Sequence, residues 1–150
     1  MEDYRKMAEA NQRRGREIIA ETQLVESWEA IGAQANLIGS LSTGLMMKKL
    51  DIDMHVYTDT LSIKESFRAA ARIASHPGIV RMEYTNLIDT EEECIEWHAA
   101  YRDRDGRMWK MDMIHIRRGS AYDGFAERMA SRIGAVLTEE TRDAILRLKY

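Results

Sequence analysis

Apolar and polar positions recur with two different periods along this chain, and each change of period marks an element. Over residues 3–31 the apolar side chains Ile18, Ile19, Val25, Trp28 and Ile31 return at three- and four-residue spacing, which predicts helix. Gly15 is expected to divide that stretch in two. Arg13, Arg14 and Arg16 are interleaved with Glu9, Glu17 and Glu21, the mixture of a solvated helix face. Residues 34–38 are a short, mostly apolar run and predict a strand ending at Gly39-Ser40. Ser42, Thr43 and Gly44 then signal the start of a short helix over 43–49.

From residue 51 the period becomes two. Asp51, Asp53, His55 and Tyr57 fall on one side of a strand over 51–58; Ile52, Met54 and Val56 fall on the other. Ser62 and Glu65 form a capping-box pattern, so a helix is predicted over 63–75, ended by the His76-Pro77-Gly78 turn. Residues 79–88 alternate as a strand, and the acidic stretch 89–93 reads as a turn.

Residues 94–101 and 107–117 predict a hairpin around Asp103-Arg104-Asp105-Gly106. Ile95, Trp97, Ala99 and Tyr101 form the apolar side of its first strand, with Glu96 and His98 opposite. Trp109, Met111, Met113 and His115 form one side of its second, with Lys110 and Asp112 opposite. The polar faces coincide only with a three-residue loop, Arg104-Asp105-Gly106, in which Gly106 is left-handed. That register sets His98 across from Asp112.

Two helices follow, over 120–134 and 138–149, the second started by Thr138. The last is still periodic at Ile145, Leu146 and Leu148 where the sequence stops at Tyr150. A frayed terminal helix and a natural chain extending past Tyr150 are both consistent with this. The predicted order is an α/β (α+β) fold: a mixed β-sheet with helices packed on one face. One domain is expected, with an N-terminal helical segment (1–31), a core (33–117) and C-terminal helices (120–150).

The candidate chemistry lies where the two periods meet. Asp51 and Asp53 project side by side from one strand face, which is costly unless a cation lies between them. Oxygens aimed at one point suit Mg²⁺ or Mn²⁺ holding a phosphate. The preceding Gly39-Ser40 turn offers backbone N–H groups and a hydroxyl to the phosphate itself. Together these residues resemble the nucleotidyltransferase superfamily, which includes DNA polymerase beta and kanamycin nucleotidyltransferase. That family has a hydrophobic residue followed by Gly-Ser, then about ten residues on an Asp-x-Asp between hydrophobics, then a third Asp on a later strand. Here the match is Ile38-Gly39-Ser40, Asp51-Ile52-Asp53-Met54 and Met111-Asp112-Met113, within residues 33–116.

The resemblance implies a catalytic and metal-binding set of Asp51, Asp53 and Asp112, with Gly39 and Ser40 cradling the terminal phosphates of a nucleoside triphosphate. It implies transfer of a nucleoside monophosphate to a hydroxyl. By analogy with the antibiotic-modifying members, the expected acceptor is a small aminoglycoside-like or lincosamide-like molecule. Lys48 or Lys49 could steer triphosphate, or form a solvated helix end. Lys110 and His98 share the Asp112 face and are candidate substrate contacts; His115 is expected in the core. Other classes on the same fold are a non-catalytic nucleotide-binding or interaction protein and a phosphohydrolase that uses water.

Composition narrows the setting. The chain has 150 residues, 45% hydrophobic and 31% charged, as in ordinary soluble proteins. Its net charge of −3 offers no overall attraction to a polyanion, so nucleic acid is not an expected partner. One cysteine, Cys94, excludes an internal disulfide and fits a reducing cytoplasm. No apolar run reaches the length of a membrane span, and the charged N-terminus is unlike a signal peptide. The two terminal helical segments leave homo-oligomer formation open. Zinc-ligand spacing, a Gly-x-Ser-x-Gly elbow and a Walker loop are all absent.

Overall fold

The computed structural model describes residues 3–150. Its elements run α1 (Asp3–Glu21), α2 (Leu24–Glu29), β1 (Gln34–Ile38), α3 (Gly39–Thr43), β2 (Asp51–Thr58), α4 (Ile63–Ala74), β3 (Ile79–Leu87), β4 (Cys94–Arg102), β5 (Met108–Arg117), α5 (Phe125–Val136) and α6 (Glu139–Lys149). The five strands form one mixed sheet in the order β1-β2-β5-β4-β3. β2 and β5 are parallel; the other pairs are antiparallel.

Strand alternation drives the packing. The even-numbered apolar residues of β2, together with Ile95, Trp97, Ala99 and Tyr101 of β4 and Trp109, Met111 and Met113 of β5, face one side and are buried. α1, α2 and α4 cover that side with Ile18, Leu24, Trp28, Ala69 and Ile73. α4 is capped as its sequence predicts: the Glu65 amide donates to the Ser62 hydroxyl at 3.2 Å.

A buried polar chain ties α4 to this sheet face. The Trp97 indole N–H donates to Ser66 Oγ at 2.8 Å, and Ser66 lies 3.0 Å from His115 Nδ1. His115 Nε2 lies 2.7 Å from Thr58 Oγ1, whose hydroxyl donates to the Thr60 carbonyl at 2.8 Å. Trp97 only donates, and Thr58 already spends its proton. His115 Nε2 therefore carries a proton and donates it to Thr58 Oγ1. Burial pushes its pKa down to about 4.

The hairpin register is the one the alternating faces require. His98 pairs with Asp112, and Gly106 has φ +79°. Buried Asp103 fixes the loop by accepting from the Asp105 and Arg107 amides and from the Trp109 indole N–H, each at 2.9 Å.

Three expectations need correction. Gly15 does not break the first helix. It is buried mid-helix, where an added Cβ would come within 3.0 Å of Leu41 and 3.3 Å of Trp109, so it is a close-packing position. The break falls at Gln23, whose φ of 52° is left-handed. The short helix is not at 43–49. It starts at Gly39 and stops at Thr43, where Gly44 takes a left-handed φ of 75°. Finally, the helices do not all pack on one face. The Glu127 carboxylate of α5 accepts from the phenol of Tyr57 at 2.5 and 2.8 Å, on the side of β2 that carries the aspartates. Tyr57, Cys94 and Ile116 form a small second core there.

Candidate active site

Three strands carry the site, and their register stacks it in rows. Asp53 pairs with Asp112 across the parallel β2–β5 ladder, and Asp112 pairs with His98 across β5–β4. One row on one sheet face therefore reads Asp53, Asp112, His98. The row on one side pairs Asp51 with Lys110; the row on the other holds His55, Ile114 and Glu96. All of these residues share a face because they differ by two along each strand.

Crowding of carboxylates has an electrostatic cost here. Burial, then the negative charges of Asp112 and Asp51, push the Asp53 carboxyl up to about 6. Asp112 Oδ1 lies 2.5 Å from His98 Nδ1, and this bond raises the His98 pKa. Glu96 Oε2 lies 3.4 Å from the other ring nitrogen. The imidazole is thus held between two carboxylates, one of them in the aspartate row.

Gly39 belongs to the same site. Its φ is +76°, and a Cβ there would lie 2.5 Å from Asp53 Oδ2. Only glycine lets α3 begin against the Asp53 carboxylate. Ser40 follows in the first turn of α3. The sequence-predicted residues Gly39, Ser40, Asp51, Asp53, Asp112, His98 and Lys110 are thus brought together around one stretch of β2 and β5.

Lys48 is not among them. Its ammonium stands 4.5 Å from the centre of the Tyr150 ring, toward the C-terminus. Lys49 is the neighbour that approaches Asp51, at 3.9 Å. A third cation was not anticipated: Lys149 of α6 donates to the Leu45 carbonyl and lies near enough to Asp51 to feel its charge. Only tertiary contact brings residue 149 there, so nothing local in the sequence signals it. Glu127 was missed for the same reason. It bonds Tyr57 and stands 3.7 Å from His55 Nδ1, fixing the start of α5 over the sheet.

The donor set fits a hard divalent cation: three carboxylates with no sulfur ligand, and a mutual repulsion on Asp53 that positive charge would relieve. Their ligand oxygens do not converge within 4.8 Å. Among the described residues only Glu92, Cys94 and Glu96 bring three potential ligand atoms that close, two carboxylate oxygens and the Cys94 sulfur.

No family model matches the chain, and no curated protein matches it by sequence. Solved structures do match by shape. The Cid1 poly(U) polymerase with MgGTP bound aligns at a TM-score of 0.61 with 16% identity, covering 88% of this chain and 40% of that one. A cytoplasmic RNA terminal U-transferase aligns at 0.58 with 15% identity, covering 98% and 43%. The poly(A) polymerase complex GLD-2–GLD-3 aligns at 0.56 with 8% identity, covering 89% and 44%. The chain has the nucleotidyltransferase fold. It spans about two fifths of the length of the structures it matches. No described helix is long and apolar enough to cross a membrane.

Proposed function

We propose that this chain catalyses nucleotidyl transfer: it takes a nucleoside triphosphate, moves the nucleoside monophosphate to an acceptor hydroxyl, and releases pyrophosphate. The observation that carries this is the row Asp53–Asp112, with Asp51 beside it and Gly39 against the Asp53 carboxylate. In the reaction the acceptor oxygen attacks the α-phosphorus. The bond from that phosphorus to the bridging oxygen breaks, and pyrophosphate leaves with its electrons. Such chemistry asks the protein mainly for positioning and charge neutralisation.

Asp51, Asp53 and Asp112 would hold Mg²⁺ or Mn²⁺, which supplies positive charge to the triphosphate and the developing oxyanions. Gly39 and Ser40 receive the terminal phosphates, with Lys49, Lys110 and Lys149 at that end. Asp112 faces the attacking hydroxyl. His98, bonded to Asp112 at 2.5 Å, holds that carboxylate in place and can relay the proton that leaves the hydroxyl.

The acceptor supplies a hydroxyl. The poly(U), poly(A) and RNA terminal transferases of similar fold lend no support to the exclusion of nucleic acid that net charge suggests. They do not favour a small-molecule acceptor either. A reducing, cytoplasmic setting belongs to this proposal through the lone cysteine.

The test is thermal stability with each nucleoside triphosphate, with and without Mg²⁺, for wild type and Asp53→Asn. Ligand at a hundred times its dissociation constant should add about 2.7 kcal/mol. A Mg²⁺-dependent rise in wild type that Asp53→Asn abolishes is the expected result. No rise with any triphosphate would sink the proposal and favour an interaction protein on this fold.

A further inference from the structure

The sheet has two outer strands, and they differ. β1 is 5 residues long, whereas β3 runs 9 residues, Ile79–Leu87, and pairs only with β4. The outward N–H and C=O groups of β3 face no strand among the described residues, and most of its side chains are exposed. An apolar flank runs along this open edge. Tyr84 packs at 4.7 Å against the ring of Phe67 in α4, yet the two remain 36% and 44% exposed. Ile63 stands one turn before Phe67 on the same side of α4, and Val80 lies on the strand; both are exposed.

Charged side chains ordinarily keep open edges apart, because an arriving strand meets like charge. On β3 the two central charges have opposite sign. Arg81 and Glu83 flank Met82, both exposed and ion-paired to each other. Two identical strands paired antiparallel are related by a two-fold axis. With that axis at Met82, Arg81 stands opposite the partner's Glu83, and Glu83 opposite the partner's Arg81. Val80 and Tyr84 meet in the same way. An axis at Arg81 or at Glu83 would set like charges opposite each other, and one at Tyr84 would leave both charges unmatched. The irregular register between Ile79 and Arg81 bounds the paired run at Val80.

We propose that β3 is a dimer edge: two copies of this chain pair β3 to β3, antiparallel about Met82, and join two five-stranded sheets into one. α4 packs over β3 on the helix-covered face, so the same axis brings Ile63 and Phe67 of one copy beside those of the other. The opposite face gains a charge. Glu83 pairs in register with His98, so the row Asp53, Asp112, His98, Glu83 ends on the partner's Arg81. The proposal goes beyond nucleotidyl transfer and does not depend on it.

The test is sedimentation equilibrium of the full chain from about 1 to 200 µM, a span that covers micromolar dissociation constants. A monomer–dimer equilibrium is expected, with amide exchange across 80–84 slowing as concentration rises. Arg81→Glu and Glu83→Arg each oppose like charges twice, once on either side of the axis, and should weaken association by about tenfold or more. The double variant Arg81→Glu/Glu83→Arg restores opposite charges and should dimerise as wild type does. Circular dichroism checks that each variant is folded, and the wild-type exchange profile tests the edge without any substitution. A chain that stays monomeric throughout overturns the proposal. A dimer that both single variants leave intact, or that forms without protecting 80–84, also overturns it and places the interface elsewhere. Single variants that dissociate with no rescue in the double variant would overturn the axis at Met82.

Discussion

Gly39 and Asp53 share a crowded contact that makes the site sensitive to single atoms. At Gly39 a Cβ must adopt a φ of +76° and enter the 2.5 Å gap to Asp53 Oδ2. Gly39→Ala is therefore expected to cost about 1–3 kcal/mol and to displace the carboxylate. Denaturant unfolding reads the first effect, and loss of the Mg²⁺-dependent nucleotide shift reads the second. Asp53 itself stores charge repulsion. Its carboxyl titrates at about 6 in the fold, above the usual 3.8. A raised acid binds its proton more tightly folded than unfolded, so its contribution is fully present below about pH 4 and is lost as pH rises through 6. Metal-free Asp53→Asn should thus be more stable than wild type at pH 7, by about 1–2 kcal/mol after solvent screening. The two proteins should converge in stability at pH 4, as measured by denaturant unfolding in chelator.

At the scale of elements, the His115 chain makes the opposite contribution. His115 is held neutral between Ser66 and Thr58, with its pKa lowered to about 4. A depressed base disfavours the fold once the unfolded chain can protonate. Stability is therefore lost as pH falls from about 6.5 toward 4. In wild type this rise with pH offsets the fall from Asp53, and the profile between pH 4 and 6 should be nearly flat. Asp53→Asn should expose the His115 slope as a gain of about 1–3 kcal/mol from pH 4 to 6.5. A flat profile in that variant would refute the offset. α5 is held differently. None of its residues is buried, and Tyr57–Glu127 is its strongest polar tie to the sheet. Tyr57→Phe should raise amide exchange across 125–136 while leaving exchange in α4 unchanged.

Elements set by their own sequence were the legible ones. Alternation alone yields β2, β4 and β5, and the matching of polar faces yields the His98–Asp112 pairing and the Gly106 loop. The Ser62 and Thr138 caps are local hydrogen bonds and appear where their spacing puts them. Gly15 and α3 show where local rules fail. A glycine signals freedom to turn, but Leu41 and Trp109 use its missing side chain instead. Start signals at Ser42–Gly44 were those of a helix already ending, because Asp53 admits only Gly39 at its beginning. The placements of Lys149 and Glu127 depend on contacts between distant segments, which no period encodes.

Over the whole molecule, a net charge of −3 hides a separation that matters more than the sum. Positive side chains gather at the Asp51 end of the site face, and the carboxylates of Glu92 and Glu96 stand at the other. Counting charges along the chain argued against a polyanion everywhere; their placement argues against one only at the Glu96 end. In the proposed reaction a triphosphate would approach from the lysine side, where Lys110 pairs in register with Asp51 and Lys149 comes in from α6. Exposed charges act through water and are screened by salt over about 10 Å at 0.1 M. Lys110→Ala and Lys149→Ala should each weaken Mg²⁺–nucleotide binding by about threefold to tenfold near 50 mM salt, and by less near 300 mM. Lys48→Ala, with its ammonium over Tyr150, should leave that binding unchanged at either concentration. Titrations of the three variants at both concentrations check this, and equal losses for Lys48→Ala and Lys110→Ala would show that the triphosphate does not lie at the Asp51–Lys110 row as proposed.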